Sequence, residues 1–521
     1  MTRGNQDRQE PPALPSLKDA VRLAMYGGGA AAALHMADHA VRYSVPVPYG
    51  RDWVLLRLLD DYSSGRIGMP GFVLSAASEP GGWVVFAWNY LLWRWTGIQS
   101  LAAAVAAWAV GVVLCLLLRA LARRGAAEGS LAPAAVFAAA CFFVFHPAGF
   151  NVWLNGALTA ELAAAALAAA VAWIATNPCR RRWMGLVLAV AWLTVALPGA
   201  WRFQEGAGGR LLGWHYGGGP AAGLLTSAFF AALVFGAYRL FGGPRQARVV
   251  WTWAALGAYS ILAGLAAALE GAGGWTASAA FLPASVVALS VLLLEKMAAE
   301  LPARVRAYTA LTAGLAAFAI AALFLRGFQT DPSRASVRHA YFTRLAGRAA
   351  FAAADEWVAP PFRYVFFGAD EKAFRELAAF ASRQGWVKPP QWDGFYFRRI
   401  WQEEAGPASD FGNLENAHRT PGGFSVAGWA YLAERSERAH AVLLVGANED
   451  GAFRLLGLAW PENPRPDVQQ RMGTPESLVT GWRAEVPAER LAGKAWRVRA
   501  FAYNALSGRA HPMTGELELR P

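Results

Sequence analysis

Charged side chains are scarce in this chain. Asp, Glu, Lys and Arg make up only 16% of its 521 residues, and hydrophobic residues make up 55%, whereas a soluble domain usually carries about a quarter charged residues. This composition argues against an ordinary soluble protein and indicates a polytopic membrane protein with room for a further soluble part. The net charge of +12 comes from short arginine clusters beside apolar runs, so topology explains it better than a nucleic-acid partner does.

Cysteines and several catalytic motifs are also scarce or missing. The three cysteines, Cys115, Cys141 and Cys179, lie in or beside apolar runs, which excludes a disulfide framework as the organising device. The sequence contains no HExxH, no paired CxxC, no Walker A glycine loop and no GxSxG. These absences argue against a metalloprotease, a zinc ribbon, a nucleotide-driven pump and a serine hydrolase.

Long hydrophobic runs are plentiful. Apolar segments of about 17 to 25 residues are typical of helices that span a bilayer, because a helix satisfies its own backbone hydrogen bonds in lipid. About nine such segments predict an α-helical integral membrane protein. They cover residues 21–43, 100–122, 131–146, 158–176, 183–200, 220–238, 249–269, 276–294 and 307–325.

The positions of lysine and arginine predict the orientation of these segments. With nine helices threaded, the arginine-rich connections and the N-terminal arm fall on one side, which the positive-inside rule assigns to the cytoplasm. The C-terminal region then lies outside. Heavy use of Ala, Gly and Arg is typical of a high-GC genome and favours a bacterium, so the predicted location is a bacterial inner membrane with a periplasmic C-terminal domain. The predicted domains are a cytoplasmic arm 1–20, a membrane domain 21–326 with a large first outer loop 43–99, a periplasmic α/β linker region 327–423 and a periplasmic β-sandwich 424–521.

The first outer loop concentrates charge. Its acidic residues are the candidate catalytic groups, and its arginines and one tryptophan are candidate substrate contacts. They are Asp52, Asp60, Asp61 and Glu79, and Arg51, Trp53, Arg57 and Arg66. A carboxylate can deprotonate an acceptor hydroxyl and arginine can hold a departing phosphate, so the loop suits sugar transfer from a polyprenyl-phosphate donor. The alternative is that these charges only solvate an amphipathic helix at the membrane interface.

Other polar residues near the predicted outer face extend this site. Asn151, Trp153 and Asn155 could bond and stack a sugar, and Arg202, on the side where arginine is unexpected, could bind an anionic headgroup. Glu161 is a further candidate because a carboxylate inside a membrane is usually functional.

A cluster near the end of the first segment has the spacing of a metal site. His35, Asp38 and His39 stand at i, i+3 and i+4, a spacing that could ligate a metal. Contact with headgroups and water is the alternative, so the cofactor stays open, with a divalent cation as one choice.

The C-terminal third has a different pattern. Residues 371–384 predict a helix that stops at Gly385, and the aromatic run 395–401 resembles a strand. Six short alternating runs follow from Phe424, at a spacing that predicts a small β-sandwich.

Short motifs in the outer loops resemble a loosely defined group of bacterial polytopic proteins related to the GT-C glycosyltransferases. Members have an acidic residue beside tryptophan, a short helix, an apolar segment with glycine, and a Glu-His pair. Asp52 and Trp53 match the start and Glu79 matches the glutamate, whereas Pro80 replaces the histidine. Residues 150–156 resemble the group's Asn, Trp and amide motif, and the C-terminal region resembles its appended outer domains.

The resemblance implies a GT-C-like membrane glycosyltransferase that moves a sugar from a polyprenyl-phosphate donor to an envelope glycan or lipid. Asp52 would be the base or a metal ligand, and the C-terminal sandwich would hold the acceptor glycan or a membrane protein partner. The alternative is a non-catalytic scaffold, or a transporter of a lipid-linked glycan intermediate. A transporter would carry inverted repeats, and the sequence has none that stands out.

Overall fold

The computed structural model describes residues 16–48, 52–78, 82–98, 100–146, 153, 157–176, 219–240, 244–269, 281–300, 331–352, 371–387, 392–402 and 411–521. Its longer helices are α1 Leu17–Tyr43, α2 Asp52–Ser63, α3 Met69–Ser78, α4 Gly82–Thr96, α5 Ser100–Gly125, α6 Ala132–Val144, α7 Ala157–Ala175, α8 Gly219–Leu240, α9 Pro244–Leu269, α10 Phe281–Glu300, α11 Asp331–Ala352, α12 Glu371–Arg383 and α13 Gly394–Gln402.

Strands and two short helices follow α13. They are β1 Gly412–Thr420, β2 Gly423–Leu432, β3 Glu437–Arg438, β4 Ala441–Asn448, β5 Phe453–Ala459, α14 Pro466–Met472, β6 Gly481–Pro487, α15 Ala488–Leu491, β7 Trp496–Asn504 and β8 Arg509–Leu519.

The chain folds into two compact units. The N-terminal unit comprises Met1–Arg42, Val73–Asn89 and Ala103–Arg334, and the C-terminal unit comprises Tyr43–Phe72, Tyr90–Ala102 and Ala335–Pro521. Most of the first predicted outer loop therefore belongs to the same unit as the C-terminal sheet.

The described part of the N-terminal unit is helical, and α6 packs against α10. Glu295 of α10 accepts hydrogen bonds from the Ser130 hydroxyl (2.6 Å) and from the backbone N–H of Leu131 (2.9 Å). A carboxylate at the start of α6 satisfies backbone donors that lack helical partners and complements the helix dipole.

The prediction of a nine-span membrane fold is wrong. Among the described residues, one helix, Leu101–Gly125, is long and apolar enough to cross a membrane by length and composition. Helix α6 has 13 residues and measures about 20 Å, less than the roughly 30 Å of a bilayer core. The predicted segments 183–200 and 307–325 lie outside the described residues.

Burial explains the apolar composition of α6. Eight of the 13 side chains of α6 are buried in the protein, so its apolar composition reflects a protein core rather than lipid. Helix α1 carries an ion pair at each end, Arg22 with Asp19 and Arg42 with Asp38, both at 2.9 Å. Apolar composition identifies a helix that is shielded from water. Neighbouring helices can provide this shielding just as lipid can, so composition does not distinguish the two.

The six predicted strands all form, but the predicted sandwich does not. One eight-stranded sheet runs in the order β3-β2-β1-β8-β7-β4-β5, with β6 paired to β2. The parallel bridge of Asn413 with Thr514 joins β1 to β8, so the strands form one curled sheet rather than two stacked sheets. Side chains from strands at both ends of the sheet share a single core, among them Leu456 of β5 and Val486 of β6.

The helical part of the C-terminal unit confirms one sequence prediction and corrects another. Helix α12 ends at Arg383, and Gly385 then adopts a φ of +69°, as the stop signal predicts. The aromatic run 395–401 is helical, in α13, rather than a strand. Tyr396, Phe397 and Ile400 are its buried residues, and their spacing fits one face of a helix.

Candidate functional site

Helix α2 places the first part of the predicted catalytic loop inside the C-terminal unit. Asp52 is the first residue of α2 and is buried. Trp53 is 2% exposed, and its indole N–H donates to the Pro48 carbonyl at 3.1 Å. Its ring lies 5.5 Å from that of Phe374 on α12, so Trp53 attaches α2 to α12.

The acidic end of α2 is held by an arginine from the same loop. Arg66 forms ion pairs with Asp60 and Asp61, and its Nε lies 2.6 Å from an Asp61 carboxylate oxygen. These bonds raise the pKa of the Arg66 guanidinium, with Asp61 the largest cause. Arg66, the candidate contact for phosphate, therefore binds the candidate catalytic carboxylates Asp60 and Asp61 instead.

The structure describes the side chains of two of the remaining candidates, Arg57 and Trp153. Arg57 is exposed on α2, and Trp153 is buried against Phe145, with ring centroids 5.3 Å apart. Five other candidates lie outside the described residues: Arg51, Glu79, Asn151, Asn155 and Arg202. Pro80 also lies outside them. Glu161 lies on α7, but its side chain is outside the described part.

The ion pairs of Arg66 lead to a prediction with a matched control. We expect Arg66→Gln to destabilise the end of α2, because Asp60 would keep its buried carboxylate without this cation. Arg57→Gln should change stability by less than about 0.5 kcal/mol, as exposed substitutions usually do. Amide hydrogen exchange of residues 52–67 in the full chain measures both. Equal exchange in the two variants would contradict a structural role for Arg66.

The predicted metal cluster does not assemble. Asp38 pairs with Arg42, and the His39 ring Nδ1 lies 3.1 Å from the His35 carbonyl oxygen. In the described part of the chain, no group of three or more His, Cys, Asp or Glu residues could hold a metal ion.

A cavity in the C-terminal unit brings together residues that the sequence analysis did not select. Its volume is about 410 Å³, within the usual range of about 300 to 1,000 Å³ for small-molecule sites. Helix α11, the β3–β4 region, the segment after β5 and the 3-10 helix Pro475–Val479 before β6 each supply part of the wall. The lining residues are Phe342, Thr343, Arg438, Ala439, His440, Trp460, Pro461, Glu462 and Val479.

Arg438 is the cation of this cavity. Its guanidinium lies 4.1 Å from the centre of the Phe342 ring, and Nη1 donates to the Pro461 carbonyl at 3.0 Å. Burial lowers the pKa of Arg438 to about 10, against the opposing attraction of Glu462 and Glu437. The group therefore stays charged at neutral pH while it is partly removed from water, where its hydrogen bonds are stronger.

His440 lies beside Arg438 in a buried polar network. Its Nδ1 accepts the backbone N–H of Ala505 at 2.9 Å, and its Nε2 lies 3.0 Å from a Glu437 carboxylate oxygen. These partners assign the single proton of the neutral ring to Nε2. Glu437 also pairs with Arg435. The network holds the strand that carries Arg438.

The environment of His440 predicts a pH dependence. Burial lowers the pKa of His440 below 6.5, and Arg435 and Arg438 oppose its protonation, although Glu437 favours it. The unfolded chain therefore binds this proton at a higher pH than the folded chain does. The contribution to stability is complete above 6.5 and is lost as the pH falls through the lower folded value.

Thermal unfolding of the full chain between about pH 7.5 and 5 measures this effect. We expect the wild type to lose stability below 6.5, and His440→Asn, which keeps an acceptor near Ala505, to lose less over the same range. His418→Asn, at an exposed position, is the control. An unchanged slope in His440→Asn would contradict the assignment.

The sequence missed this cavity because its walls come from four separate segments. One signal was present. Glu437, Arg438 and His440 stand between two predicted strands, where an acid, a cation and an imidazole are unusual for a simple turn.

No family model, curated protein or solved structure matches the chain.

Proposed function

We propose that this chain is a non-catalytic, membrane-associated protein whose C-terminal unit binds an envelope glycan at the Arg438 cavity. The observation that carries the proposal is a partly desolvated guanidinium in a cavity that also contains Glu462, Trp460 and Phe342. This proposal develops the second hypothesis from the sequence, a non-catalytic scaffold. It retains the envelope glycan as the binding partner.

The chemistry of the cavity favours a sugar over other small ligands. Vicinal hydroxyls both donate and accept hydrogen bonds, and Arg438 offers donors while Glu462 offers acceptors. The C–H faces of a sugar ring suit apolar walls such as Phe342 and Trp460. The opposite charges of Arg438 and Glu462 in the cavity lining also favour a neutral or weakly charged ligand over a phosphate, which would meet a carboxylate.

Catalysis of sugar transfer has less support in the described residues. A general base must reach the proton that it removes, whereas Asp60 and Asp61 are bound by Arg66. Trp53, a proposed sugar contact, is buried against Phe374. Among the candidate carboxylates that the structure describes, Asp52 is the one on which the transferase alternative still depends.

Membrane association is supported by the surface of the N-terminal unit. Helix α5 contains the candidate span. In addition, large apolar side chains are exposed on α1, α8 and α9. They include Leu23, Leu34, Phe235, Trp251 and Leu262. Large apolar side chains that are exposed on several helices favour contact with lipid or another protein. The inner membrane and the periplasmic side stay predictions.

Binding of the full chain to a surface panel of bacterial envelope oligosaccharides tests the glycan proposal. We expect Arg438→Met to weaken binding of the recognised glycan roughly tenfold to a hundredfold, since a hydrogen bond to a charged group contributes about 1.5–3 kcal/mol. Arg419→Met, at an exposed position on β1, should bind like the wild type.

Two results would contradict the proposal. One is equal binding by the Arg438→Met and wild-type chains. The other is sugar transfer from a polyprenyl-phosphate donor that is lost in a folded Asp52→Asn variant, because that result would restore the transferase alternative.

A further inference from the structure

Helix α13 has one buried and one exposed face. Tyr396, Phe397 and Ile400 pack into the C-terminal unit. The exposed residues Phe395, Arg398, Arg399 and Gln402 stand at i, i+3, i+4 and i+7, so they form one face of the helix.

This exposed face combines an aromatic ring with two cations. Phe395 is 77% exposed, and no other large apolar side chain in the described part after residue 330 is mostly open to solvent. Arg398 lies 5.6 Å from the Phe453 ring and Arg399 lies 5.3 Å from the Tyr396 ring. Neither arginine has an ion pair among the described residues. Glu403 and Glu404 follow α13 but lie outside the described part.

The last turns of α4 repeat this chemistry in the same unit. Leu91, Arg94 and Trp95 stand at i, i+3 and i+4, and all three are exposed, Trp95 by 82%. The helix end is fixed by the neighbouring Trp93, whose ring lies 5.6 Å from that of Trp386. The Ile98 N–H also donates to the Trp386 carbonyl at 2.8 Å. The exposed Trp95 is therefore presented by a well-anchored segment.

We propose that the exposed faces of α13 and of the end of α4 dock the C-terminal unit on the surface of an anionic lipid bilayer. Aromatic rings settle at the headgroup level and arginine pairs with lipid phosphate. The two faces display apolar rings and arginines without an ion pair in the described residues, which complements an anionic surface that has an apolar interior. The inference does not depend on the glycan proposal.

Quenching of a fluorophore by brominated lipid tests the docking. The full chain, with Cys179→Ser, carries the label at Gln402→Cys on the α13 face, because Cys115 and Cys141 are buried. It is reconstituted with vesicles of brominated phosphatidylcholine, with or without phosphatidylglycerol. A label at Glu485→Cys, an exposed position on β6, is the matched control.

We expect strong quenching at position 402 in the vesicles with phosphatidylglycerol, and weak quenching at position 485. The double variant Arg398→Gln, Arg399→Gln should lower the ratio of docked to undocked protein roughly thirtyfold, because each arginine contributes about fivefold to sixfold to binding at an anionic surface. Amide exchange in β7 should not change, which separates lost docking from misfolding.

Three results would overturn the proposal. Absence of quenching at position 402 would exclude contact with lipid. Equal quenching without phosphatidylglycerol, or in the double variant, would exclude recognition of anionic charge. Equal quenching at positions 402 and 485 would mean that the α13 face has no special contact with the bilayer.

Discussion

Trp53→Ala is expected to reduce the stability of the α2–α12 contact by about 3–5 kcal/mol, the usual cost of removing a buried tryptophan or phenylalanine ring. The indole is 2% exposed and packs on Phe374, and its N–H bonds to the Pro48 carbonyl. Protection from amide exchange in residues 52–63 and 371–383 of the full chain should fall roughly a hundredfold or more.

Trp95→Ala is the matched control for this substitution. Its indole is 82% exposed, so exchange in the same two helices should stay within a few-fold of the wild type. If Trp53→Ala left exchange unchanged and weakened only sugar binding, Trp53 would be a sugar contact rather than a packing residue.

Gly428→Ala is expected to disrupt the sheet, with a cost of about 3 kcal/mol or more, the upper end of the usual cost of overpacking. A Cβ at position 428 would lie 2.1 Å from the Asn413 carbonyl oxygen and 2.8 Å from the Trp482 ring. Asn413 belongs to the neighbouring strand β1, and its backbone cannot move away without breaking the ladder with β2.

Gly422→Ala provides the control in the turn between β1 and β2. A Cβ at this position meets nothing within 4 Å, and the position should tolerate alanine. Amide exchange of β1 and β2 measures both variants. Wild-type exchange in Gly428→Ala would contradict the close approach of β1 to β2.

The sheet could be predicted from local sequence because each strand carries its own pattern. The run from Phe424 to Leu432 alternates and ends at turns, and it forms β2. Strand β1, with the sequence GNLENAHRT, has few apolar residues, so no local pattern predicts it. Sheet closure through Asn413 and Thr514 joins residues about a hundred positions apart, which local patterns do not encode.

The helical half was harder to interpret for a physical reason. A helix such as α6 is apolar because other helices cover it, and a spanning helix is apolar because lipid surrounds it. The aromatic residues of α13 favour a strand, whereas its buried positions follow a helical period, so composition alone predicts the wrong element. The acidic residues of α2 suggest a catalytic site from sequence alone. Their role depends on their contacts in the fold, where Asp60 and Asp61 form ion pairs with Arg66.

Hydroxyl-radical footprinting of the full chain, with and without the glycan that it binds, tests the central claim most directly. Binding at the Arg438 cavity predicts protection of Phe342 and Trp460, with no change at Trp53. Protection of Trp53 and the rest of α2, with Phe342 and Trp460 unaffected, would contradict the claim and return the glycan site to the first loop.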